Sequence, residues 1–307
     1  MEIEKRFLTY LVACCATCSI TTARAQQATA LRPYVIQAEV TGTATLGSNS
    51  WSVAGNSEGA NPNVLSELKW KQQAGIGAGM NVMAYPLRHW LLYVSYLRTG
   101  TVSGTATDND YAGDNRTRIT YSGHFAANHG YMDEVYTGIG YTFLLKKLVL
   151  TATGGYTATA QLNYLLPADA ATPADLSSTY KNTWKGVAVG VFANISLEKK
   201  LQLIPGIAYY QQRYYAAGNW NLISAFSHPL SFAHNANGYG IRFQLQGRYA
   251  CNHMFGVLAG ATWHYAATGH GAETLYLKEG GTAGTRMNAA YTEALNLRAG
   301  IYVSCGK

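Results

Sequence analysis

The sequence predicts an all-β fold, a ten-stranded antiparallel transmembrane β-barrel with long extracellular loops and short periplasmic turns. Three observations predict it. Apolar and polar side chains alternate with a period of two residues, the alternating segments are longer than the strands of most globular sheets, and the links between segments alternate between short and long. Together these features are typical of strands that cross a bilayer and close into a ring.

The alternation is clearest in residues 239–250. One face of this segment carries Tyr239, Ile241, Phe243, Leu245 and Tyr249, and the other carries Arg242, Gln244, Gln246 and Arg248. The ten strands are predicted at residues 33–46, 64–83, 89–104, 129–144, 147–161, 180–197, 199–216, 237–251, 253–270 and 288–304. Aromatic girdles at the two membrane interfaces are predicted from Tyr34, Trp70, Tyr85, Trp90, Tyr141, Tyr156, Trp184, Tyr215 and Trp263.

The start of the chain has the features of a secretory signal peptide. Basic residues precede an apolar run, and a small-x-small cleavage site ends at Ala25. We therefore predict a signal peptide over residues 1–25 and a single barrel domain over residues 26–307. A lipoprotein cleavage box that ends at Cys14 is the alternative, although the apolar run before this cysteine is short.

The remaining composition narrows the class of protein. Only 13% of residues are charged, and the formal net charge of +7 is scattered along the chain, which does not favour nucleic acid as a partner. No stretch after the signal contains eighteen consecutive apolar residues, so the sequence excludes a helical membrane span. Cys251 and Cys305 are the two cysteines beyond the signal, and the sequence leaves open whether they form a disulfide.

The polar faces of the strands predict a polar barrel interior. The residues predicted to line it are Glu39, Lys69, Lys71, Arg242, Gln244, Gln246, Arg248, Asn296 and Arg298. An eight-stranded barrel is about filled by its own side chains, so ten strands predict a plugged or very narrow conduit. Its basic lining would favour anions if it conducts. A secreted, soluble β-sandwich is the alternative fold.

Three segments carry a resemblance to a known family. They are "NPNVLSELKWK" (61–71), "DNDYAGDNRT" (108–117) and "NWNLISAFSHPLSFAHNANGYG" (219–240). They resemble the omptin-like outer-membrane barrels, especially the branch of the protochlamydia outer-membrane proteins. The resemblance implies an integral protein of the bacterial outer membrane, with an endopeptidase site in an extracellular groove and lipopolysaccharide as a bound lipid.

The family's site pairs two aspartates on the second long loop with an Asp-x-His pair on the fourth. Asp108 and Asp110 match the first pair, and His228 is the candidate histidine, with His234 as the other choice. The residue two positions before each histidine is a phenylalanine, and no Asp or Glu occurs between residues 198 and 273. Because an orienting carboxylate holds a catalytic histidine in the correct tautomer, its absence predicts that the protein is not an efficient protease.

The acidic cluster also has two non-catalytic interpretations. Its short polar side chains favour a turn balanced by Arg116 and Arg118, which is the interpretation we prefer. Asp108, Asp110 and Asp114 form a weak candidate for a cation site. The sequence predicts no resident cofactor or metal.

The functional hypotheses follow from these residues. The first is a non-proteolytic barrel that acts as a narrow channel or as a surface structural or binding protein, in contact with outer-membrane lipid and a peptide or small solute. The second is an omptin-type aspartic endopeptidase.

Overall fold

The computed structural model describes residues 35–145 and 148–306, and the predicted signal peptide and Cys14 lie outside them. The described chain forms one antiparallel sheet of eleven strands. The strands are β1 (Val35–Val53), β2 (Ser66–Leu87), β3 (Trp90–Gly113), β4 (Thr117–Ala126), β5 (Gly130–Leu145), β6 (Leu148–Leu165), β7 (Ser178–Ser196), β8 (Leu201–Asn219), β9 (Phe232–Ala250), β10 (Phe255–Tyr276) and β11 (Thr282–Cys305). No helix in these residues is long and apolar enough to cross a membrane.

The sheet closes on itself through its first and last strands. β1 pairs with β2 on one side and with β11 on the other, with Ile36 opposite Cys305 at the periplasmic end. Every described strand except β4 has at least two neighbours. A closed ring leaves no unpaired edge in the membrane, and this closure makes the sandwich alternative wrong.

β4 is the strand that the sequence does not predict. Residues 105–128 are expected to form a loop, but β3 continues to Gly113, passes through a single 3₁₀ turn at Asp114–Arg116 and returns as β4. β4 pairs only with the extracellular part of β3, whereas β5 pairs with its membrane part. The structure therefore has eleven strands rather than ten, because the predicted loop is itself a hairpin.

The other long loops are also partly strand. The extracellular connections shorten to residues 54–65, 166–177, 220–231 and 277–281. Apart from β4, the strands contain 16 to 24 residues. Since about 9–11 residues are enough to cross a bilayer, roughly half of each strand stands outside the membrane on the extracellular side.

A band of exposed apolar side chains encircles the periplasmic half of the ring. The side chains of this band are 43–64% exposed. They include Val40, Ile76, Met80, Leu92, Ile139, Val187, Ile207, Leu245, Val257 and Ile301. Trp90, Tyr141, Tyr156 and Tyr215 are exposed, as the girdle prediction expects. Trp70, Tyr85 and Trp184 are instead buried inside the barrel, so the girdle prediction is wrong for these three residues.

The barrel interior differs between its two halves. In the extracellular half, large side chains meet across the ring in an aromatic core, defined here as Trp51, Trp70, Tyr180, Trp184, Tyr214 and Phe232. In the periplasmic half, the interior contains a cavity of about 2340 Å³ that extends to the short turns at residues 197–200 and 251–254. We refer to it as the periplasmic cavity.

Candidate functional site

Asp108 and Asp110 lie side by side on the extracellular part of β3. They are strand residues rather than turn residues, opposite Leu68 and Ser66 of β2. Asp108 is buried, and its Oδ1 atom has no hydrogen-bond partner within the described residues. Because successive side chains of a strand alternate between faces, both carboxyl groups point to the same side of the sheet.

Burial has a large effect on this pair. Desolvation, and then the neighbouring charge of Asp110, raise the pKa of Asp108 to about 7, and the Ser66 hydroxyl offsets only part of this rise. Burial also raises the pKa of Asp110. With a pKa of about 7, Asp108 is partly protonated near neutral pH, because burial and the neighbouring carboxylate both disfavour its charged form.

Asp114 has a separate, structural role. Its Oδ1 accepts a hydrogen bond of 2.7 Å from the backbone N–H of Asn63, and the side chains of Asn63 and Asn115 are joined at 3.0 Å. These contacts hold the connection 54–65 against the tip of the β3–β4 hairpin. Within the described residues, no group of three or more His, Cys, Asp or Glu side chains is placed to hold a metal ion, so the alternative interpretation of Asp108, Asp110 and Asp114 as a cation site is wrong.

Arg116, at the tip of the β3–β4 hairpin, pairs with a carboxylate of β2 rather than with the neighbouring aspartates. Arg116 donates to both carboxylate oxygens of Glu67, at 2.7 and 3.2 Å, and Lys69 donates to Glu67 at 2.6 Å. Although burial raises it, these two cations hold the pKa of Glu67 below its ordinary value. The predicted local ion pairing of the acidic turn is therefore wrong, because the partner carboxylate comes from the adjacent strand.

His234 lies at the centre of a buried hydrogen-bond chain at the aromatic core. Its Nδ1 is 2.8 Å from the hydroxyl of Tyr180, which is 2.6 Å from the hydroxyl of Tyr214. Its Nε2 is 3.0 Å from Oε1 of Glu273, the residue directly opposite on β10, and Thr285 donates to the other oxygen of Glu273 at 2.9 Å. Glu273 thus supplies the carboxylate that the sequence near the histidine lacks.

The histidine has no remaining position for a water molecule. Its ring is completely buried and packs against Trp51 in a T-shaped arrangement, with ring centroids 4.9 Å apart. If the ring is neutral with its proton on Nε2, it donates to Glu273 and accepts from Tyr180, so both nitrogens are occupied by protein. A general base needs a nitrogen within hydrogen-bond reach of the group that it deprotonates.

His228, in contrast to His234, is at the surface. It is exposed on the connection 220–231, and its Nδ1 is 2.8 Å from Oδ1 of Asn219. Within the described residues, no hydrogen bond or ion pair joins His228 or His234 to Asp108 or Asp110. The structure therefore does not bring the three predicted catalytic residues, Asp108, Asp110 and His228, into one bonded group.

The predicted lumen residues divide into two groups. Glu39, Arg242, Gln244, Gln246, Arg248 and Arg298 line the periplasmic cavity. Asn296 is also buried inside the ring and accepts a hydrogen bond of 2.7 Å from Thr45. Ion pairs join Arg248 to Glu39 and Arg242 to Glu134 across the interior.

Lys69 and Lys71 do not belong to this interior. They alternate with Leu68 and Trp70, which are fully buried, so the two lysines point to the opposite, outer face. The cause is a β-bulge at Gln72, which has a φ of 52° and coincides with a shift in the pairing with β3. One additional residue reverses the alternation of a strand, so the lumen prediction is wrong for both lysines.

Cys251 and Cys305 are both exposed at the mouth of the periplasmic cavity as free thiols, and no disulfide joins them. Several other interior residues were not predicted from the sequence. Tyr180, Tyr214, Glu134 and Glu273 lie on strands with clear alternation, so their inward orientation could have been inferred from the pattern. Their partners could not, because contacts between distant strands depend on the register of the whole ring.

Known proteins provide an independent comparison. Residues 47–296 match the sequence profile of the Protochlamydia outer membrane protein family. The chain belongs to this family. It is accordingly an integral outer-membrane β-barrel protein, as the sequence predicts. A comparison with curated protein sequences gives no match.

Solved structures support the same fold. The outer membrane protease OmpT from Escherichia coli is similar with a TM-score of 0.69 and 14% identity, over 89% of this chain and 97% of that chain. The outer membrane protein OprG from Pseudomonas aeruginosa is similar with a TM-score of 0.39 and 8% identity, over 90% of this chain and 98% of that chain. The similarity to OmpT shows a shared barrel fold, and the score for OprG is too low to support any argument.

Proposed function

We propose that this family member is a closed, non-proteolytic outer-membrane barrel that acts as a surface structural and binding protein. The observation that carries the proposal is the aromatic core across the extracellular half of the interior. Trp70 stacks on Tyr180 with ring centroids 5.3 Å apart, and Trp184 packs on Tyr214 at 4.6 Å. Rings that meet across a barrel and exclude water favour a plug over a conduit.

The surroundings of His234 support the absence of proteolysis. The residue two positions earlier is Phe232, which packs in the aromatic core where the family resemblance implies an aspartate. The carboxylate of Glu273 does orient the ring, but it does so in a buried position with Tyr180 on the other nitrogen. This arrangement is suited to holding β7, β9 and β10 together rather than to activating water.

The alternative function is an omptin-type endopeptidase. The carboxyl pair of Asp108 and Asp110 is the observation that specifically supports it. A pKa of about 7 at Asp108 is in the range that a general acid or base uses near neutral pH. The experiment is a fluorogenic dibasic peptide incubated with the refolded protein in detergent and lipopolysaccharide. We expect no cleavage above that of detergent alone. Cleavage that Asp108→Asn, Asp110→Asn and His228→Ala each abolish would establish the endopeptidase and overturn the proposal.

The outer surface supports lipopolysaccharide as the bound lipid. Lys185 and Arg213 are directly opposite on β7 and β8, exposed on the outer face and without an ion-pair partner in the described residues. Lys181 is exposed on the same face. Like charges directly opposite each other destabilise a sheet unless an anion lies between them. Val187 belongs to the apolar band and lies just on the periplasmic side of Lys185. Lys185 and Arg213 are therefore at the depth of the lipid phosphates.

A further inference from the structure

The periplasmic cavity is strongly biased in charge. Its lining includes five cationic side chains, Arg242, Arg248, Arg298, Lys199 and Lys200, and two anionic ones, Glu39 and Glu198. The lining itself therefore has three excess positive charges, and Glu134, which pairs with Arg242 from outside the lining, reduces the excess to two. Three of the cations are arginines inside the ring, where the protein environment screens charge less than bulk water does.

Arg298 is the arginine without a carboxylate partner. Arg248 is paired with Glu39 and Arg242 with Glu134, but no ion pair to Arg298 occurs within residues 35–145 and 148–306. Its one side-chain hydrogen bond is donated to Oε1 of Gln246 at 2.6 Å. An interior guanidinium that is not neutralised costs free energy, which a bound anion would offset.

The orphaned donors of these arginines point to the same conclusion. The Nε atoms of Arg242, Arg248 and Arg298 are all buried and have no hydrogen-bond partner in the part of the chain that the structure describes. Arg248 is itself only 7% exposed. A guanidinium presents Nε–H and one NH₂ as a fork that fits two oxygens of a carboxylate or phosphate. The NH₂ group of each fork already donates to a protein oxygen, of Glu134, Glu39 or Gln246. Arg298 is the one whose acceptor is a neutral amide, so an oxyanion displaces that acceptor most readily.

We propose that the periplasmic cavity binds a small oxyanion, the phosphate or carboxylate group of a periplasmic solute, on Arg298 with Arg242 and Arg248. The cavity admits the solute from the periplasmic mouth, and Tyr93, Tyr136 and Tyr210 line the space beside the arginines. The site lies at the periplasmic end of the barrel, whereas Asp108 and Asp110 lie at the extracellular end. Binding of an oxyanion there therefore requires neither proteolysis nor conduction through the barrel.

The test uses full-length mature protein, refolded in detergent with ¹⁵N-labelled arginine. The Nε–H resonances are followed while inorganic phosphate or acetate is added separately at constant ionic strength with sodium chloride. We expect a saturable shift of the Arg298 resonance with at least one of the two anions. Arg298→Gln should weaken the affinity about tenfold or more, as expected for the loss of a charge-assisted hydrogen bond.

Two further variants separate a site from a general charge effect. Arg298→Lys keeps the charge but loses the fork, so it should bind the same anion more weakly than the wild type and more tightly than Arg298→Gln. Arg118→Gln removes an exposed arginine on β4, far from the periplasmic cavity, and should leave the affinity unchanged. No shift at saturating anion, or equal unsaturable shifts at Arg118 and Arg298, would overturn the proposal. If Arg298→Gln does not fold, the anion titration of the wild-type protein still tests the proposal.

Discussion

Two parts of one strand, β2, illustrate the difference between the halves of the barrel. In the membrane half, the positions that face the interior are Gly75, Gly77 and Gly79, which are followed by Asn81. In the extracellular half, the inward positions are Leu68 and Trp70, which are fully buried. The bulge at Gln72 lies between the two parts.

The same contrast occurs on β7. Tyr180 and Trp184 fill the interior above, whereas Ala188 and Gly190 leave space below. The size of the inward side chain therefore determines where this ring is open and where it is closed, because the backbone spacing of neighbouring strands is fixed. A periplasmic cavity under an aromatic core follows from the sizes of the inward side chains once the bulge at Gln72 has set which residues face inward.

The largest expected effect is on the aromatic core. Trp70→Ala should lower the free energy of unfolding by about 3–5 kcal/mol, because it leaves a cavity beside Tyr180 and the carbonyl of Tyr164 without its 3.1 Å hydrogen bond. Tyr93→Ala in the periplasmic half should cost clearly less, since one side of that ring already faces the cavity. Urea unfolding in lipid bilayers measures both. Equal losses would remove the distinction between the halves.

The second effect concerns Asp108 and depends on pH. Its pKa is about 7 in the folded protein against 3.8 ordinarily, so the folded state binds more protons between these values and stability falls as the pH rises from about 4 to about 7. Asp108→Asn should remove this slope and gain roughly 2–4 kcal/mol at pH 8, at about 1.36 kcal/mol per pKa unit.

The control for Asp108 is Asp175→Asn, which changes an exposed carboxylate on the connection 166–177. Thermal unfolding from pH 4 to pH 8 should give the wild-type slope for this variant. A wild-type slope in Asp108→Asn as well would show that other groups cause the pH dependence.

The third effect isolates the hydrogen-bond chain of His234. Tyr180→Phe keeps the ring in the core but removes the hydroxyl between Tyr214 and His234, and we expect a loss of about 1–3 kcal/mol because buried polar groups remain unsatisfied. Tyr215→Phe, on the exposed face of β8, should change stability by less than about 0.5 kcal/mol. Chemical unfolding of the two variants in parallel measures the difference, and similar values would contradict a structural role for the chain.

The smallest effect lies on the outer surface. Without lipopolysaccharide, Lys185→Gln should stabilise the barrel by about 0.2–1 kcal/mol, because it removes the charge opposite Arg213. With lipopolysaccharide, the same variant should gain less from the lipid than the wild type does. Lys199→Gln, on a periplasmic turn, is the control and should respond to the lipid as the wild type does. A normal lipid response in Lys185→Gln would exclude this pair as a phosphate site.

The sequence predicts the fold well because membrane strands have a simple physical pattern. The inward and outward faces of residues 239–250 are as expected, since lipid on one side and a polar interior on the other enforce the alternation. The pattern fails at Gln72, because a bulge is a backbone feature that hydropathy does not encode. It also fails at residues 105–128, where polar side chains form a hairpin outside the membrane.

The site was less predictable for a different reason. Glu273 lies 39 residues from His234 in the chain, and Glu134 lies 108 residues from Arg242, yet each pair is in contact. Only the register of the ring places these residues together. The missing aspartate near His234 is visible in the sequence, but the replacement of its role by Glu273 is not.

Ion conduction across a planar lipid bilayer tests the closed extracellular half most directly. The refolded wild-type protein is added to the bilayer in 1 M potassium chloride, and insertion is verified by flotation of the same sample with liposomes. We predict a bilayer current that does not rise above baseline although the protein is membrane-inserted. Regular, ohmic current steps from the inserted wild-type protein would contradict an aromatic core that closes the barrel.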